Sequence, residues 1–211
     1  ILTSAQATAI YLERVAPRGA RMFIIGEEGL RGEIQRRGFE IVDDGQAVDF
    51  VVAGMDTGLT YEKLKFATLA IRAGAKFIGA NPDKTFPSEV GLAPGNGAIL
   101  AALEASADVA PTVIGKPQPA IFQMALDRME SKPRTPAIIG DRLETDILGG
   151  QRAGLVTILL LCGVTRQEEL ASSPIVPDMV FRDLEALLGA WQRELETSYE
   201  PGPGSQSQCD L

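Results

Sequence analysis

The sequence predicts an α/β protein built on parallel sheets, and two observations support this. Short apolar runs typical of buried strands alternate with amphipathic segments of helical period along most of the 211 residues. Residues 135–164 follow the pattern of a strand, a loop, a short helix closed by Gly154 and a second apolar strand. That order is a unit of a parallel sheet, whose ligands bind at the carboxyl ends of the strands.

The predicted elements alternate from the start of the chain. Ser4 is the expected N-cap of the first helix, and Gly38 ends the second. Strands are predicted at 21–26, 39–42, 49–54, 76–80, 112–116, 136–140, 156–161 and 179–181. Helices are predicted at 4–15, 30–37, 60–73, 98–106, 120–129, 146–153, 165–170 and 184–195, with Trp191 on the inner face of the last.

One proline- and glycine-rich segment, 81–97, interrupts this rhythm. We interpret it as an irregular connection between two α/β units, and its Gly-rich end as the entry to the next helix. The sequence therefore predicts one unit at 1–90 and a second at 91–195. Residues 196–211 are polar and rich in Pro, Gly and Ser, and are predicted to be a disordered tail.

Composition excludes several function classes. The net charge of −8 argues against nucleic acid or an anionic membrane as partner, and no apolar run has the length of a membrane span. With no histidine and two cysteines, the chain has neither a Ser-His-Asp system nor a His-containing or four-cysteine zinc site. Carboxylates, lysines and amides remain, which suit oxygen-ligated metals and phosphoryl chemistry. The cytoplasm is the expected location.

Two aspartates are candidate metal ligands. Asp141 follows a buried strand directly, where a carboxylate needs a partner, and such a group suits a hard cation such as Mg²⁺. Asp146, five residues later, either shares the same ion or caps the following helix, where a negative charge is favoured.

Lys116 is the candidate phosphate-binding residue. It follows the strand 112–116 in the run Gly-Lys-Pro, in which Gly115 permits close backbone approach and Pro117 fixes the exit. Its ammonium is a compact charge suited to phosphate, and the alternative is a solvated surface lysine. Parallel strands present the same ends, so we expect Lys116 and Asp141 in one crevice.

These residues lie in stretches that resemble a known family. The runs IGKPQPAIFQMAL (114–126) and IGDRLETDILGGQRAG (139–154) are similar to motifs of the haloacid dehalogenase (HAD) superfamily of phosphohydrolases. With GMDTGLTYEKL (54–64), ANPDKTFP (80–87) and PGNGAI (94–99), the chain resembles the NagD-like and 4-nitrophenylphosphatase-like subfamily.

The resemblance implies a Rossmann-like parallel-sheet core with an α/β cap, the cap at 1–90 and the core at 91–195. It implies a Mg²⁺-dependent phosphatase in which Lys116 stabilises a phosphoaspartate, Asp141 binds the metal and Asp146 supports it less directly. The cap would select a small phosphorylated metabolite, with Asp56, Asn81 and Asp83 facing the substrate. A homodimer through the cap is a further implication.

The sequence departs from the family at one point. The nucleophile motif, of the type DxDG, and the strand ending in Ser or Thr that follows it do not occur in these residues, and the first residue is Ile1. We therefore expect a C-terminal part of the enzyme that is inactive as given. The alternatives are a non-catalytic α/β module that binds a phosphate ligand, and a nucleotide-binding sheet, which the lack of a Walker-type loop disfavours.

Overall fold

The structure, a computed structural model, describes residues 1–44, 47–129 and 134–198. Its contacts divide the chain into two compact units, Ile1–Arg134 and Thr135–Leu211. Each contains parallel strands and helices, which confirms the α/β fold class.

The first unit is organised on a five-stranded sheet in the order β2-β1-β3-β4-β7, in which all paired strands are parallel. Its strands are β1 (Arg21–Ile25), β2 (Glu40–Val42), β3 (Phe50–Ala53), β4 (Lys76–Gly79) and β7 (Thr112–Val113). Its helices are α1 (Ser4–Val15), α2 (Glu28–Gln35), α3 (Tyr61–Arg72), α4 (Asn96–Ala107) and α5 (Pro119–Asp127).

The central strand β1 explains why the sheet is covered on both faces. Met22 and Ile24 join one buried cluster, with apolar residues of α1, α2 and α5. Phe23 and Ile25 join another, with residues of α3 and α4. Since side chains alternate along a strand, a continuous apolar run supplies both faces, as parallel sheets require.

Two helices of this unit have threonine as their N-cap residue. Thr3 forms a capping box at the start of α1, where its hydroxyl accepts from the Gln6 N–H and the Gln6 side chain accepts from the Thr3 N–H. Thr60 caps α3 by accepting from the Lys63 N–H at 3.2 Å. The observed first helix therefore starts at Ser4, one residue earlier than a Ser4 cap would place it.

The segment 81–97 contains an antiparallel hairpin rather than an irregular connection. Strand β5 (Thr85–Ser88) pairs with β6 (Gly91–Pro94). The segment before the hairpin folds over the start of α4, where the Gly97 N–H donates to the Asp83 carbonyl at 2.8 Å. A Cβ on Gly97 would overlap the carbonyl of Pro82, so glycine permits this close approach. At this Gly-rich start of α4, the Gly97 N–H is therefore bonded to a backbone carbonyl of the same chain.

The second unit holds a three-stranded parallel sheet in the order β10-β9-β8. Strands β8 (Ala137–Gly140), β9 (Val156–Leu160) and β10 (Met179–Phe181) alternate with α6 (Leu148–Arg152), α7 (Gln167–Ser172) and α8 (Leu184–Ser198). A π-helical turn, Leu143–Ile147, precedes α6. Strand β8 lies at the edge of this sheet, and no strand among the described residues pairs with its other side.

Hydrogen bonds of the Asp178 carboxylate connect the segment before β10 to β9. Asp178 accepts hydrogen bonds from the Thr157 hydroxyl at 2.7 Å and the Thr157 N–H at 2.8 Å, while its own N–H donates to that hydroxyl. The Thr157 hydroxyl, followed by the Thr157 N–H, holds the pKa of Asp178 below its ordinary value, against desolvation, which raises it.

Three sequence predictions differ from the observed fold. The boundary between compact units lies at Arg134–Thr135 rather than at residue 90, because β7 pairs with β4 and extends the first sheet. Helix α8 continues to Ser198, so residues 196–198 of the predicted tail are helical, and 199–211 lie outside the described residues. Trp191 is 46% exposed, and among the side chains of α8 that the structure describes, up to residue 194, Leu187 is the buried one. The assignment of cap and core stays a prediction.

Candidate active site

Asp141 lies immediately beyond β8, at the carboxyl end of the strand, as the sequence predicts. Its Oδ2 accepts the Val164 N–H at 2.9 Å, and its carbonyl accepts the Thr165 N–H at 2.9 Å. Within the described ranges, no hydrogen bond to its Oδ1 is present. One carboxylate oxygen is therefore anchored to the protein and the other can bind a cation.

Asp146 supports the loop that carries Asp141. It lies in the π-helical turn with 5% of its surface exposed. Its Oδ2 accepts the N–H groups of Asp141 at 3.3 Å and Arg142 at 3.2 Å. The carboxylate thus folds back onto the end of β8, stabilises the turn and lies beside Asp141. Because both N–H groups precede Asp146 in the chain, these two bonds are not caps of the following helix, and the part of Asp146 in a metal site stays a prediction.

Two glycines provide space for these aspartates. A Cβ on Gly140 would overlap the Asp146 side chain, and a Cβ on Gly163 would overlap the Asp141 carboxylate. Neither residue has a positive φ. The glycines are required for steric rather than conformational reasons, because any larger residue would displace a carboxylate.

These residues fit a Mg²⁺ ion. Magnesium keeps several waters and is usually held by one or two carboxylates together with a substrate phosphate. Asp141 supplies one accessible carboxylate oxygen, and Asp146 lies next to it. Among the described residues no group of three or more Asp, Glu, His or Cys forms a closed protein cage.

Lys116 lies at the carboxyl edge of the five-stranded sheet. Beyond β7, the Ile114 and Gly115 N–H groups donate to the carbonyls of Gly79 and Ala80 at 2.9 and 3.0 Å. Lys116 is the next residue, is exposed, and precedes a cis bond to Pro117. Its convergence with Asp141, which belongs to the other unit, stays a prediction.

Asn81 and Asp83 occupy the same edge of the sheet and shape the turn after β4. The Asn81 Oδ1 accepts the Asp83 N–H at 3.2 Å. Asn96, which is 1% exposed, donates through Nδ2 to the carbonyls of Asn81 at 2.7 Å and Ala53 at 3.1 Å. Asn96 ties the ends of β3 and β4 together and was not identified from sequence, although its position between two glycines is unusual. Contact of Asn81 and Asp83 with substrate stays a prediction.

Asp56 has a local structural role in the loop after β3. Its Oδ2 lies 2.7 Å from the Lys63 Nζ, and its Oδ1 accepts the Gly58 N–H at 2.9 Å. The Asp56 side chain is 4% exposed and that of Lys63 37%. Both oxygens are engaged by protein groups, so this carboxylate orders the loop, and its contact with substrate stays a prediction.

We expect Lys63→Met to destabilise the first unit by about 1–3 kcal/mol, because it leaves the buried Asp56 carboxylate without its cationic partner. Urea unfolding measures this change. Adding Asp56→Asn should recover part of the loss, since the amide oxygen can still accept the Gly58 N–H. Lys65→Met, which removes an exposed pair with Glu62, is the control and should change stability by less than about 1 kcal/mol. Equal effects at both lysines would contradict the role of Asp56.

A cleft of about 440 Å³ opens at this same edge of the first unit. It is lined by the start of α1, by α2 and by the ends of β3 and β4. Asn81 is one of its walls, and Glu27, Glu33 and Arg36 contribute charges. Its position at the carboxyl ends of parallel strands is where such sheets bind ligands.

Comparison with known proteins gives the family. The family model described as HAD-hydrolase-like matches residues 113–187. The acid sugar phosphatase of Staphylococcus epidermidis is 40% identical over 193 residues, which are 92% of this chain and 74% of that protein. That of Staphylococcus haemolyticus is 40% identical over 196 residues, 93% of this chain and 74% of its own length. The chain belongs to the HAD-like hydrolases.

Solved structures place this HAD-like hydrolase in the NagD-like subfamily of phosphatases, as the sequence predicted. The 4-nitrophenylphosphatase of Thermotoga maritima matches with a TM-score of 0.80 and 38% identity, over 89% of this chain and 71% of that one. A glycerol phosphate phosphatase of Mycobacterium tuberculosis, solved in complex with magnesium, matches with a TM-score of 0.83 and 38% identity, over 88% and 57%. That complex supports Mg²⁺ as the metal of the family.

None of the helices that the structure describes in this HAD-like hydrolase combines the length and apolar character that crossing a membrane requires. The predicted cytoplasmic location stays a prediction.

Proposed function

We propose that this protein is a Mg²⁺-dependent phosphohydrolase of small phosphate monoesters that acts through a phosphoaspartate intermediate. The observation that carries the proposal is the arrangement around Asp141, whose carboxylate is held at a strand end with one oxygen anchored and one accessible. Membership of the NagD-like phosphatases supports the reaction class.

In this proposal each residue has a separate task. Asp141 holds the metal, and Asp146 keeps the loop of Asp141 in place through the N–H groups of residues 141 and 142. When bound, Mg²⁺ would neutralise charge on the phosphoryl oxygens. The Lys116 ammonium would bind the same oxygens and stabilise the charge that develops there.

The nucleophile would be an aspartate of a DxDG motif, which the 211 residues do not contain. Its carboxylate oxygen would attack phosphorus while the ester P–O bond breaks and the alcohol leaves with a proton from an acidic side chain. Water would then attack phosphorus, breaking the bond to aspartate and releasing inorganic phosphate. The 211-residue chain alone is therefore expected to show no turnover.

The proposed substrate class is supported by the relatives, whose names specify sugar, glycerol and 4-nitrophenyl phosphates. Each of these three esters has a small leaving group, which is hydroxylated in the first two and aryl in the third. The cleft beside Asn81 in the first unit is the candidate selector of that group, with Asp83 at the same edge. A homodimer through the first unit stays a prediction.

Hydrolysis of 4-nitrophenyl phosphate with Mg²⁺ tests the proposal on two proteins, the 211-residue chain and the product of the complete gene. We expect turnover only in the second, and a decrease in kcat/KM of about 10²–10³-fold in its Asp141→Asn variant, because an amide replaces an anionic ligand. The control is Asp108→Asn at the exposed, left-handed C-cap of α4, a position that tolerates asparagine.

The possible outcomes of this experiment lead to different conclusions. Turnover by the 211-residue chain would show that its own residues supply the nucleophile. Full activity of Asp141→Asn would contradict the metal assignment. An inactive product of the complete gene that still binds phosphate with Mg²⁺ would favour the non-catalytic binding module.

A further inference from the structure

The segment after β9 holds Asp141 in position. Strands β8 and β9 are parallel neighbours, so the residues that follow each of them meet at one edge of the sheet. Gly163, Val164 and Thr165 lie there beside Asp141. Gly163 and Val164 have no polar side chain, and the Thr165 hydroxyl is buried against the Leu143 N–H.

Thr165 connects the two residues on either side of Arg142. Its N–H donates to the Asp141 carbonyl at 2.9 Å, and its Oγ1 accepts the Leu143 N–H at 3.2 Å. Thr165 is 3% exposed and Leu143 is 2% exposed. The hydroxyl is therefore the buried acceptor for an N–H group at the start of the π-helical turn, and it fixes the backbone that aims the Asp141 side chain.

The carboxylate of Asp141 depends on the same segment. Val164, adjacent to Thr165, donates its N–H to the Asp141 Oδ2 at 2.9 Å. If the Thr165 hydroxyl releases Leu143, the loop 141–143 can shift relative to Val164, and the accessible oxygen loses its fixed direction. Magnesium demands near-ideal octahedral geometry, so its affinity is sensitive to such a loss of orientation.

We propose that Thr165 is a positioning residue whose buried hydroxyl, by holding the Leu143 N–H, sets the affinity of Asp141 for Mg²⁺. The inference rests on the proposed function, in which Asp141 holds the metal. It adds a residue whose side chain touches neither metal nor substrate and acts through the backbone of the loop 141–143.

Thr165→Val tests this directly, because it removes the hydroxyl while keeping the shape of the side chain. We expect isothermal titration calorimetry with MgCl₂ on the product of the complete gene to show Mg²⁺ affinity about 10–100-fold weaker than in the unsubstituted protein. Thr165→Ser keeps the hydroxyl and should bind Mg²⁺ within about threefold of the unsubstituted protein. Urea unfolding of each variant in EDTA measures stability separately.

A merely structural Thr165 would lower the stability of Thr165→Val in EDTA and leave the Mg²⁺ affinity of the folded protein unchanged, which would overturn the inference. If Thr165→Val does not fold, Thr165→Ser decides, since a tenfold loss of affinity with the hydroxyl retained would also overturn it. Failure of the proposed function is recognised by a different result, in which Asp141→Asn binds Mg²⁺ as tightly as the unsubstituted protein.

Discussion

Gly163→Ala should lower both Mg²⁺ affinity and turnover of the product of the complete gene by about 10–100-fold. The methyl group would occupy the space of the Asp141 carboxylate, so the aspartate must rotate away from the Val164 N–H or the segment must move. We also expect a loss of about 1–3 kcal/mol in stability from the overlap. Calorimetric titration with MgCl₂ and urea unfolding measure the two effects.

The matched control is Gly189→Ala in the interior of α8. Of the residues that the structure describes, a Cβ there would meet the Arg193 Nη1, at 3.5 Å. Alanine favours helix over glycine by up to about 1 kcal/mol. This variant should be as stable as the unsubstituted protein or more so, with unchanged Mg²⁺ affinity. Wild-type Mg²⁺ binding by Gly163→Ala would contradict the steric argument and, with it, the position of Asp141.

Lys116→Met should lower kcat/KM for 4-nitrophenyl phosphate by about 10²–10³-fold, because one cation that stabilises the phosphoryl charge is lost. Lys116 is exposed, so stability should change by less than about 1 kcal/mol. Lys116→Arg should not restore activity, since a planar guanidinium cannot replace a compact ammonium at a fixed point.

The control for Lys116 is Lys65→Met on α3, which also removes one exposed lysine of the first unit and should leave kcat/KM unchanged. A Lys116→Met variant that retains full turnover would show that the lysine is the solvated surface residue of the alternative interpretation. A variant that loses turnover together with its fold would indicate a structural role, which urea unfolding detects.

The first parallel sheet was predictable because its central strands are buried on both faces. After Arg21, β1 is a continuous apolar run that ends before Gly26, and β3 is a second such run between Asp49 and Gly54. The unit boundary was not predictable, since β7 is two residues long and its pairing with β4 follows from backbone contacts across more than thirty positions.

The hairpin was missed for a specific reason. Its strands include Pro87 and Pro94, and proline within a run argues against a strand. A two-stranded ribbon has a free edge on both strands, where a missing N–H costs no pairing. Local composition cannot distinguish that arrangement from an irregular loop.

Only some residues of the candidate site could be predicted from the sequence. The position of Asp141 at a strand end was predictable from the apolar run before it, although the predicted burial of that strand was wrong, since β8 alternates exposed and half-buried residues. The roles of Gly163 and Thr165 were not predictable, since each acts through space or backbone N–H groups that carry no signature in sequence. Asp56 was selected by resemblance, and only the structure shows its ion pair with Lys63.

The exposed side of β8 has a consequence for how copies of this chain behave together. No strand in the described part of the chain pairs with the outer edge of β8, and such an edge offers N–H and C=O groups to an extended segment of any sequence. Ile139 on this strand is 39% exposed. The net charge of −8 opposes that encounter, because like-charged molecules repel each other at low ionic strength. Salt shortens the range of the repulsion to about 8 Å at physiological ionic strength. Pairing at the strand edge favours self-association of the 211-residue chain, and charge repulsion opposes it. Added salt weakens the repulsion and therefore favours self-association.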